Sequence, residues 1–253
     1  MPPEVPLQRI ASYLDQLLEV AKYDEGEPSN GLMVDSGRPV ARLAAAVNTS
    51  FASIQGAASI PAQLLLVHHT TSASIDRDLK EKKEEALRTS GVSLYAAHAA
   101  LDCHPEFSNA TTLSAALGVE VEGRFLEYCG GLAGAYGRVG GSFSDLVEDV
   151  RRVLGVPIYA RRNSDRFARL AIVPGGGPWT TYLAEAQSLG CDTYLTGEST
   201  MYTKLFALET GMNLIVATHY ATETFGVEAL AAHVGHQFSL PWAFVREDDP
   251  DLQ

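Results

Sequence analysis

The chain has 253 residues, of which 46% are hydrophobic, and this composition is typical of one large or two small soluble α/β domains. Its formal net charge is −12. Such a charge repels phosphate backbones and anionic membranes, and therefore disfavours nucleic acid as a partner.

The cysteines and the N-terminal segment bear on where the protein works. Cys103, Cys129 and Cys191 are odd in number and show no C-x-x-C spacing, which argues against a disulfide framework or a thiolate zinc site and predicts buried thiols. The segment MPPEVPLQRI lacks the basic and apolar regions of a secretion signal, and apolar stretches such as Ile60 to Val67 are too short to span a bilayer. We expect a cytoplasmic protein with no membrane association.

The first half of the chain follows the element order of a parallel sheet. Helical spacing of apolar residues predicts an opening amphipathic helix over Leu7 to Ala21. The apolar run Leu64 to Val67 predicts a buried strand that ends at a histidine pair. The Lys/Glu-rich segment Asp76 to Ser90 predicts a solvated helix capped by Gly91, and Val92 to Ala96 predicts the next strand.

The second half is predicted to repeat this alternation. We interpret the glycine-rich segment Tyr128 to Gly141 as the join, and we place one α/β half in residues 1–125 and the other in residues 126–253. Helices and strands alternate in the following segments: helix Ser144 to Leu154, strand Ala168 to Val173, helix Trp179 to Leu189, strand Thr193 to Leu195, helix Met201 to Thr210, strand Leu214 to Ala217, helix Glu223 to Val234 and strand Leu240 to Val245. The acidic tail, Arg246 to Gln253, is expected to fray.

The histidine pair is the first candidate for metal binding. His68 and His69 follow an apolar strand, and neutral imidazole is the commonest protein ligand of transition metals. Adjacent side chains on a strand point to opposite faces, so both can serve one site only where the pleat breaks down. The alternative is a hydrogen-bonded histidine pair at a sheet edge.

A second candidate pair follows a later strand. His219 and Glu223 are spaced i,i+4, which puts both side chains on one face if a helix begins near Thr218. Such pairs are also common as exposed polar neighbours. Asp102 supplies another carboxylate after a strand, and three histidines with two carboxylates suit zinc, manganese, iron or cobalt.

Two further sequence features are relevant to this site. YAAHAALD (Tyr95 to Asp102) and VATHYATE (Val216 to Glu223) each place a carboxylate four residues after a histidine, which indicates a duplicated α/β unit. Gly175, Gly176 and Gly177 form a loop whose backbone could meet an anion, but without a G-x-G-x-x-G or Walker pattern a tight turn is favoured.

Six motifs in register carry a family resemblance over nearly the whole chain. They are NGLMV (Asn30 to Val34), LLLVHH (Leu64 to His69), YAAHAALD, AYGRVG (Ala135 to Gly140), TGE (Thr196 to Glu198) and THYATE (Thr218 to Glu223). In this order they resemble the Nif-three-like family, the Ngg-one-interacting factor three-like dinuclear metal-centre proteins.

The resemblance implies a fold, an assembly and a ligand set. The fold is α/β, with two intertwined, similarly built halves that have mixed sheets and a metal site in the cleft between them; the assembly is a toroidal homohexamer. The family's metal ligands correspond to His68, His69, Asp102, His219 and Glu223, with Glu223 as the bridge between two divalent ions. His98 corresponds to the histidine before the aspartate, and we interpret it as an outer or substrate-facing residue.

The sequence also departs from the family pattern. Thr70 stands where proline is common after the histidine pair, which should alter the loop but not the ligands. Ser199, Thr200, Met201 and Tyr202 stand where the family often has further histidines, which puts a ligand role for that loop in doubt. Asn48 replaces an aspartate common near the end of an early strand, and the sequence offers no reason for it.

A pair of ions sharing a carboxylate can activate water and stabilise a developing negative charge. The predicted function is therefore a metal-dependent hydrolase, resembling proteins labelled GTP cyclohydrolase I type 2, with a small molecule or nucleotide as substrate. The alternative is a non-catalytic, metal-stabilised ring scaffold or regulator that binds a protein partner. Nucleic acid threaded through the ring is a third hypothesis, disfavoured by the charge, which would require a basic bore built from Arg161, Arg162, Arg166 and Arg169.

Overall fold

The computed structural model describes residues 4–252, so Met1 to Pro3 and Gln253, which belong to the terminal segments considered above, lie outside the described residues. The chain forms two compact units. The first contains the residues up to Phe107, Cys129–Gly131 and Val227–Asp248, and the second contains Ser108–Tyr128, Leu132–Gly226 and the residues from Asp249 onward. The predicted boundary after residue 125 falls inside a strand, and the division into residues 1–125 and 126–253 stays a prediction.

The first unit begins with alternating helices and strands and is completed by the C-terminal part of the chain. Its elements are α1 (Leu7–Leu17), β1 (Asn30–Val34), β2 (Leu43–Asn48), α2 (Phe51–Ser59), β3 (Leu64–His69), α3 (Ala73–Asp76), α4 (Leu79–Ser90), β4 (Ser93–Ala97) and α5 (Ala99–Asp102). A short 3₁₀ helix, Val20–Lys22, follows α1.

The second unit has the same alternation. Its elements are α6 (Asn109–Ala116), β5 (Glu120–Tyr128), β6 (Gly131–Arg138), α7 (Phe143–Leu154), β7 (Tyr159–Arg161), β8 (Arg169–Val173), α8 (Thr180–Ser188), β9 (Thr193–Thr196), α9 (Met201–Thr210), β10 (Asn213–Val216) and α10 (His219–Thr222). The chain then returns to the first unit, which contains most of α11 (Thr224–Phe238) and all of β11 (Trp242–Phe244), and a second 3₁₀ helix, Pro250–Leu252, follows.

Each unit is built on one mixed sheet. The strand order is β1-β4-β3-β2-β11 in the first and β5-β6-β8-β9-β10-β7 in the second. In the first sheet β4, β3, β2 and β11 are parallel and β1 is antiparallel to β4. In the second, β8, β9 and β10 are parallel, with β6 and β7 antiparallel to β8 and β10. The predicted α/β fold with mixed sheets is confirmed.

The central strands are largely apolar and buried along most of their length, because both faces of each sheet are covered. All residues of β4, β9 and β10 are buried, as are all residues of β3 except the last. The two faces of the second sheet carry separate cores, one including Leu183 and Met212, the other Leu146 and Ile215. Such strands end abruptly where polar residues begin, and this places the histidines at strand ends.

Most predicted helices and strands are confirmed, but two segments differ. The supposed join, Tyr128 to Gly141, contains β6, because its glycines fit a crowded strand: a Cβ on Gly137 would lie 2.0 Å from the Glu120 carbonyl oxygen. The predicted fraying of the tail is wrong for Glu247, which accepts from Ser50 Oγ and the Asn48 N–H.

The sequence also predicts buried cysteines and apolar stretches too short to span a bilayer. Cys103 and Cys191 are buried as predicted, while Cys129 is partly exposed. Within residues 4–252, the helices lack the combination of length and apolar composition that a bilayer crossing requires.

Candidate metal centre

Three histidines meet at the carboxyl edge of the first sheet. β3 ends with His68 and His69, and His98 follows β4 directly. The two strands are parallel, with Val67 opposite Ala96, so their carboxyl ends lie at the same edge. One ring nitrogen of each histidine lies within 4.8 Å of those of the other two. We call this group the imidazole cluster.

Hydrogen bonds determine which nitrogen carries the proton in the first two rings. His68 Nδ1 donates to the Ala97 carbonyl oxygen at 2.8 Å, and His69 Nδ1 donates to Asn48 Oδ1 at 2.8 Å. Carbonyl oxygens only accept, so Nε2 is the basic nitrogen of each neutral ring. His68 is fully buried and His69 is partly exposed. Although both belong to β3, their ring centroids are only 4.6 Å apart.

Glu25 binds the third imidazole, a role that could not be predicted because Glu25 lies in a loop without a recognisable sequence motif. Its Oε2 accepts from His98 Nδ1 at 2.5 Å, and its Oε1 accepts from Ser29 Oγ and the Ala99 N–H. Burial raises the pKa of Glu25, but the hydrogen bond and charge of His98, with the bonds from Ser29 and Ala99, outweigh burial and lower the pKa to about 2. The anionic carboxylate therefore keeps a proton on His98 Nδ1.

Asp102 lies at the end of α5 and approaches the same cluster. Its Oδ2 is 3.6 Å from His68 Nε2, which is too long for a hydrogen bond. Metal–ligand distances of about 2.0–2.2 Å place two ligands of one tetrahedral ion roughly 3.3–3.6 Å apart, so the spacing fits a shared ion. The structure also brings His98 into the cluster. The assignment of Asp102 as ligand and His98 as an outer residue stays a prediction.

The second unit carries its own group, formed by Glu198, His219 and Glu223, which we call the carboxylate–histidine group. His219 begins α10 and Glu223 follows its last residue. His219 Nε2 lies 3.1 Å from Glu223 Oε2, and His219 Nδ1 lies 2.5 Å from Glu198 Oε1. The predicted i,i+4 approach of His219 and Glu223 is therefore confirmed, while the role of Glu198 was missed.

The two carboxylates dominate the electrostatics of this group. Burial lowers the pKa of His219, but the hydrogen bonds and charges of Glu223 and Glu198 outweigh burial and raise the pKa to about 9. Glu223 is itself buried, with 4% of its surface exposed. The group thus stabilises a positive charge, which is the requirement for binding a divalent cation.

The glycine loop packs against this group as a tight turn. Gly175 has φ +60°, and a Cβ at this position would lie 1.9 Å from Glu223 Oε1 and 2.9 Å from His219 Nε2. Its N–H donates to Thr222 Oγ1 at 2.9 Å. Only glycine fits here, and the N–H is used within the protein, so the geometry supports the turn interpretation.

The donor chemistry of both groups fits a divalent metal. In each of the four imidazoles, Nδ1 is hydrogen-bonded to a carbonyl or carboxylate oxygen. Metal-ligating histidines have this second partner because it orients the ring and makes the other nitrogen more basic. Imidazole nitrogen combined with carboxylate oxygen is a donor set for zinc, manganese, iron or cobalt.

The sequence matches one family model and resembles several named proteins. Residues 5–250 match the family model described as Duf34/NIF3 (NGG1p interacting factor 3). A Deinococcus radiodurans protein named "GTP cyclohydrolase 1 type 2 homolog" is 34% identical over 96% of this chain and 93% of its own, and an Allochromatium vinosum protein of the same name is 34% identical over 94% of both.

Solved structures agree in fold. The protein ybgI, described as of unknown function, has a TM-score of 0.86 and 25% identity, covering 97% of this chain and 100% of its own. TTHA1606 from Thermus thermophilus has a TM-score of 0.81 and 27% identity, with the same coverage. The chain therefore belongs to the Duf34/NIF3 (NGG1p interacting factor 3) family.

Proposed function

We propose that His68, His69, Asp102, His219 and Glu223 hold two divalent ions and that the protein is a metal-dependent hydrolase. The observation that carries the proposal is the hydrogen bonding of the imidazoles, each of which has Nδ1 held by an oxygen. That arrangement orients nitrogen lone pairs for a metal, whereas surface histidines have no need of it.

The ions would supply Lewis acidity and a water of lowered pKa. The chain's own residues divide the remaining tasks. Glu223, buried and anionic, has two oxygens and is the proposed bridge between the ions. Glu25 keeps the proton of His98 on Nδ1, so that His98 Nε2 can accept a proton from a water or a substrate.

The reaction class comes from the relatives. Several carry the name "GTP cyclohydrolase 1 type 2 homolog", and hydrolytic opening of a cyclic amide-like carbon suits a centre that activates water. We propose a small cyclic molecule or a nucleotide as substrate.

We also propose that the chain forms a homo-oligomer, a hexamer in particular. α9 presents apolar side chains to solvent on one face: Met201, Leu205 and Leu208 are 68%, 43% and 45% exposed and are spaced i, i+4 and i+7. Apolar faces of this kind are typical of subunit interfaces. Light scattering of the metal-loaded protein should give the mass of six chains, and a monodisperse monomer at micromolar concentration would contradict the proposal.

The same apolar face is the observation that favours the second candidate, a metal-stabilised scaffold that binds a different protein. In that case the ions order the structure and catalyse nothing. A closed ligand shell with no position for water would favour the scaffold.

Elemental analysis of untagged protein, followed by a screen of phosphoesters, nucleotides and cyclic amides, separates the two functions. The hydrolase proposal expects an activity that chelation abolishes and that one particular metal restores. Full metal occupancy with every substrate inert would support the scaffold. Absence of bound metal would contradict both.

A further inference from the structure

A cavity of about 470 Å³ lies in the first unit beside the imidazole cluster. One wall is the loop Glu25–Ser29, the other comes from the segment after β3, and His69 and His98 also line the cavity. The volume lies within the range of small-molecule sites in proteins. We call this cavity the acid-lined pocket.

Among the described residues that line the pocket, every formally charged side chain apart from the two histidines is a carboxylate. These are Glu25 and Glu27, and the same lining includes neither Lys nor Arg. Glu25 is engaged with His98, while the largely exposed Glu27 accepts a hydrogen bond from Ser74 Oγ at 3.2 Å. Hydroxyl groups of Ser29, Ser72 and Ser74 supply further polarity.

The charges that line the pocket determine which kinds of ligand it favours. A phosphate placed here would face two carboxylates with no lining Lys or Arg to offset the repulsion. A ligand that covers the carboxylates must also replace their water, and N–H groups do so at low free-energy cost. The electrostatics therefore favour a ligand that donates hydrogen bonds and carries no negative charge.

Two apolar side chains also line the pocket. Ile75 is 81% exposed and lines one wall, and Pro28 lines the other. Apolar side chains suit contact with a ring system, whose N–H groups would then meet the carboxylates.

We propose that the acid-lined pocket binds a planar nitrogen heterocycle without negative charge through its N–H groups, and that Glu27 determines specificity by excluding phosphorylated ligands. The proposal rests on the proposed function, since two residues of the imidazole cluster line the pocket. It narrows the proposed substrate from a small cyclic molecule or a nucleotide to an unphosphorylated cyclic molecule. The ring is held beside His69 and His98, and a phosphate group on the ligand meets carboxylates instead of cationic side chains.

Isothermal titration with adenosine, guanosine, cytidine and uridine, each beside its 5′-monophosphate, tests this directly. Metal-depleted protein removes the attraction between ions and phosphate, and metal-loaded protein is measured in parallel. At least one nucleoside should bind metal-depleted protein about tenfold more tightly than its monophosphate. Glu27→Lys should abolish or reverse that preference, and Glu27→Gln should weaken nucleoside binding.

Glu81→Lys is the matched control, because Glu81 is exposed on α4 and does not line the pocket, yet the change in net charge is the same. Monophosphates binding as tightly as nucleosides, failure of every nucleoside to bind, or equal effects of Glu27→Lys and Glu81→Lys would each overturn the proposal. Metal uptake is measured separately on protein incubated with metal, so a chain that binds a nucleoside but takes up no metal contradicts the proposed hydrolase and leaves the pocket proposal standing.

Discussion

The two units use the same scaffold to present different donors. In the first sheet Leu66 is opposite Tyr95, and in the second Thr196 is opposite Val216. His68 lies two residues after Leu66, and Glu198 lies two residues after Thr196. Likewise, His98 lies three residues after Tyr95, and His219 lies three residues after Val216. Equivalent positions therefore hold an imidazole pair in one unit and a carboxylate–imidazole pair in the other.

This contrast shows how one fold can present two different donor sets. The His68 and His98 rings stack with centroids 4.8 Å apart, whereas His219 bonds to Glu198 at 2.5 Å. In the first unit the carboxylate that bonds to a histidine is that of Glu25, which lies in a loop outside the repeated helices and strands. With a cation bound, charge would contribute most in the carboxylate–histidine group, and nitrogen lone pairs would contribute most in the imidazole cluster.

The largest expected effect is on metal content, and it tests whether Glu223 contacts both of the proposed ions. We expect Glu223→Gln to weaken both metals, because two divalent ions roughly 3.5–4 Å apart repel and an anionic bridge offsets that repulsion. His68→Ala should weaken chiefly one ion. Elemental analysis after dialysis should find about two ions per wild-type chain, with anomalous scattering to locate them. Retention of both ions at wild-type affinity by Glu223→Gln excludes the bridge.

A somewhat smaller effect should follow from filling the space beside Glu223. In Gly175→Ala the new methyl group collides with the Glu223 carboxylate, so we expect loss of the ion nearest His219 and lower stability. Gly155→Ala is the matched control, because Gly155 has a similar φ of +69° and a methyl group there would meet no described residue within 4 Å. Both variants share the backbone strain, and only Gly175→Ala should change metal content. Equal metal loss in the two would contradict the steric account.

Much of this site could be predicted from the sequence, since the signals were local. Apolar strands ending in polar residues located His68, His69 and His219, and the i,i+4 spacing paired His219 with Glu223. Glu25 could not be found, because its contact with His98 spans 73 residues of sequence and its loop has no periodicity. Strand β6 was missed for a related reason: glycine is typical of loops, while its need here arises from the neighbouring strand.

Neutralising the carboxylates that orient His98 and His219 should have moderate effects of similar size on metal affinity. Glu25→Gln and Glu198→Gln each keep an oxygen that can accept from Nδ1 but remove the charge that makes Nε2 more basic. We expect metal affinity to fall about 10–100-fold, a range typical of outer-shell partners. Competition with a chelating dye measures it. If Glu198→Gln weakens binding and Glu25→Gln does not, the loop has no electrostatic role and the imidazole cluster works by nitrogen donors alone.

The smallest expected effect concerns Asn48. The sequence offers no reason for an asparagine at this position, but the structure does. Its Oδ1 accepts from His69 Nδ1 at 2.8 Å, and its Nδ2 and backbone N–H lie 3.4 and 3.0 Å from Glu247 Oε2. An amide donates on one side and accepts on the other, so it links the imidazole to a carboxylate that an aspartate would repel.

Asn48→Asp should therefore lower the free energy of unfolding by about 1–2 kcal/mol, and Glu247→Gln in the same chain should recover most of the loss because the new amide can donate to the aspartate. Urea unfolding of wild type, both single variants and the double variant forms the complete cycle, with a coupling of roughly 0.5–3 kcal/mol expected for residues in contact. Metal affinity measured on the same four proteins shows whether the charge reaches His69. Additive effects would mean that Asn48 and Glu247 act independently, and they would contradict a role for the amide in linking the His69 imidazole to the partly buried Glu247 carboxylate.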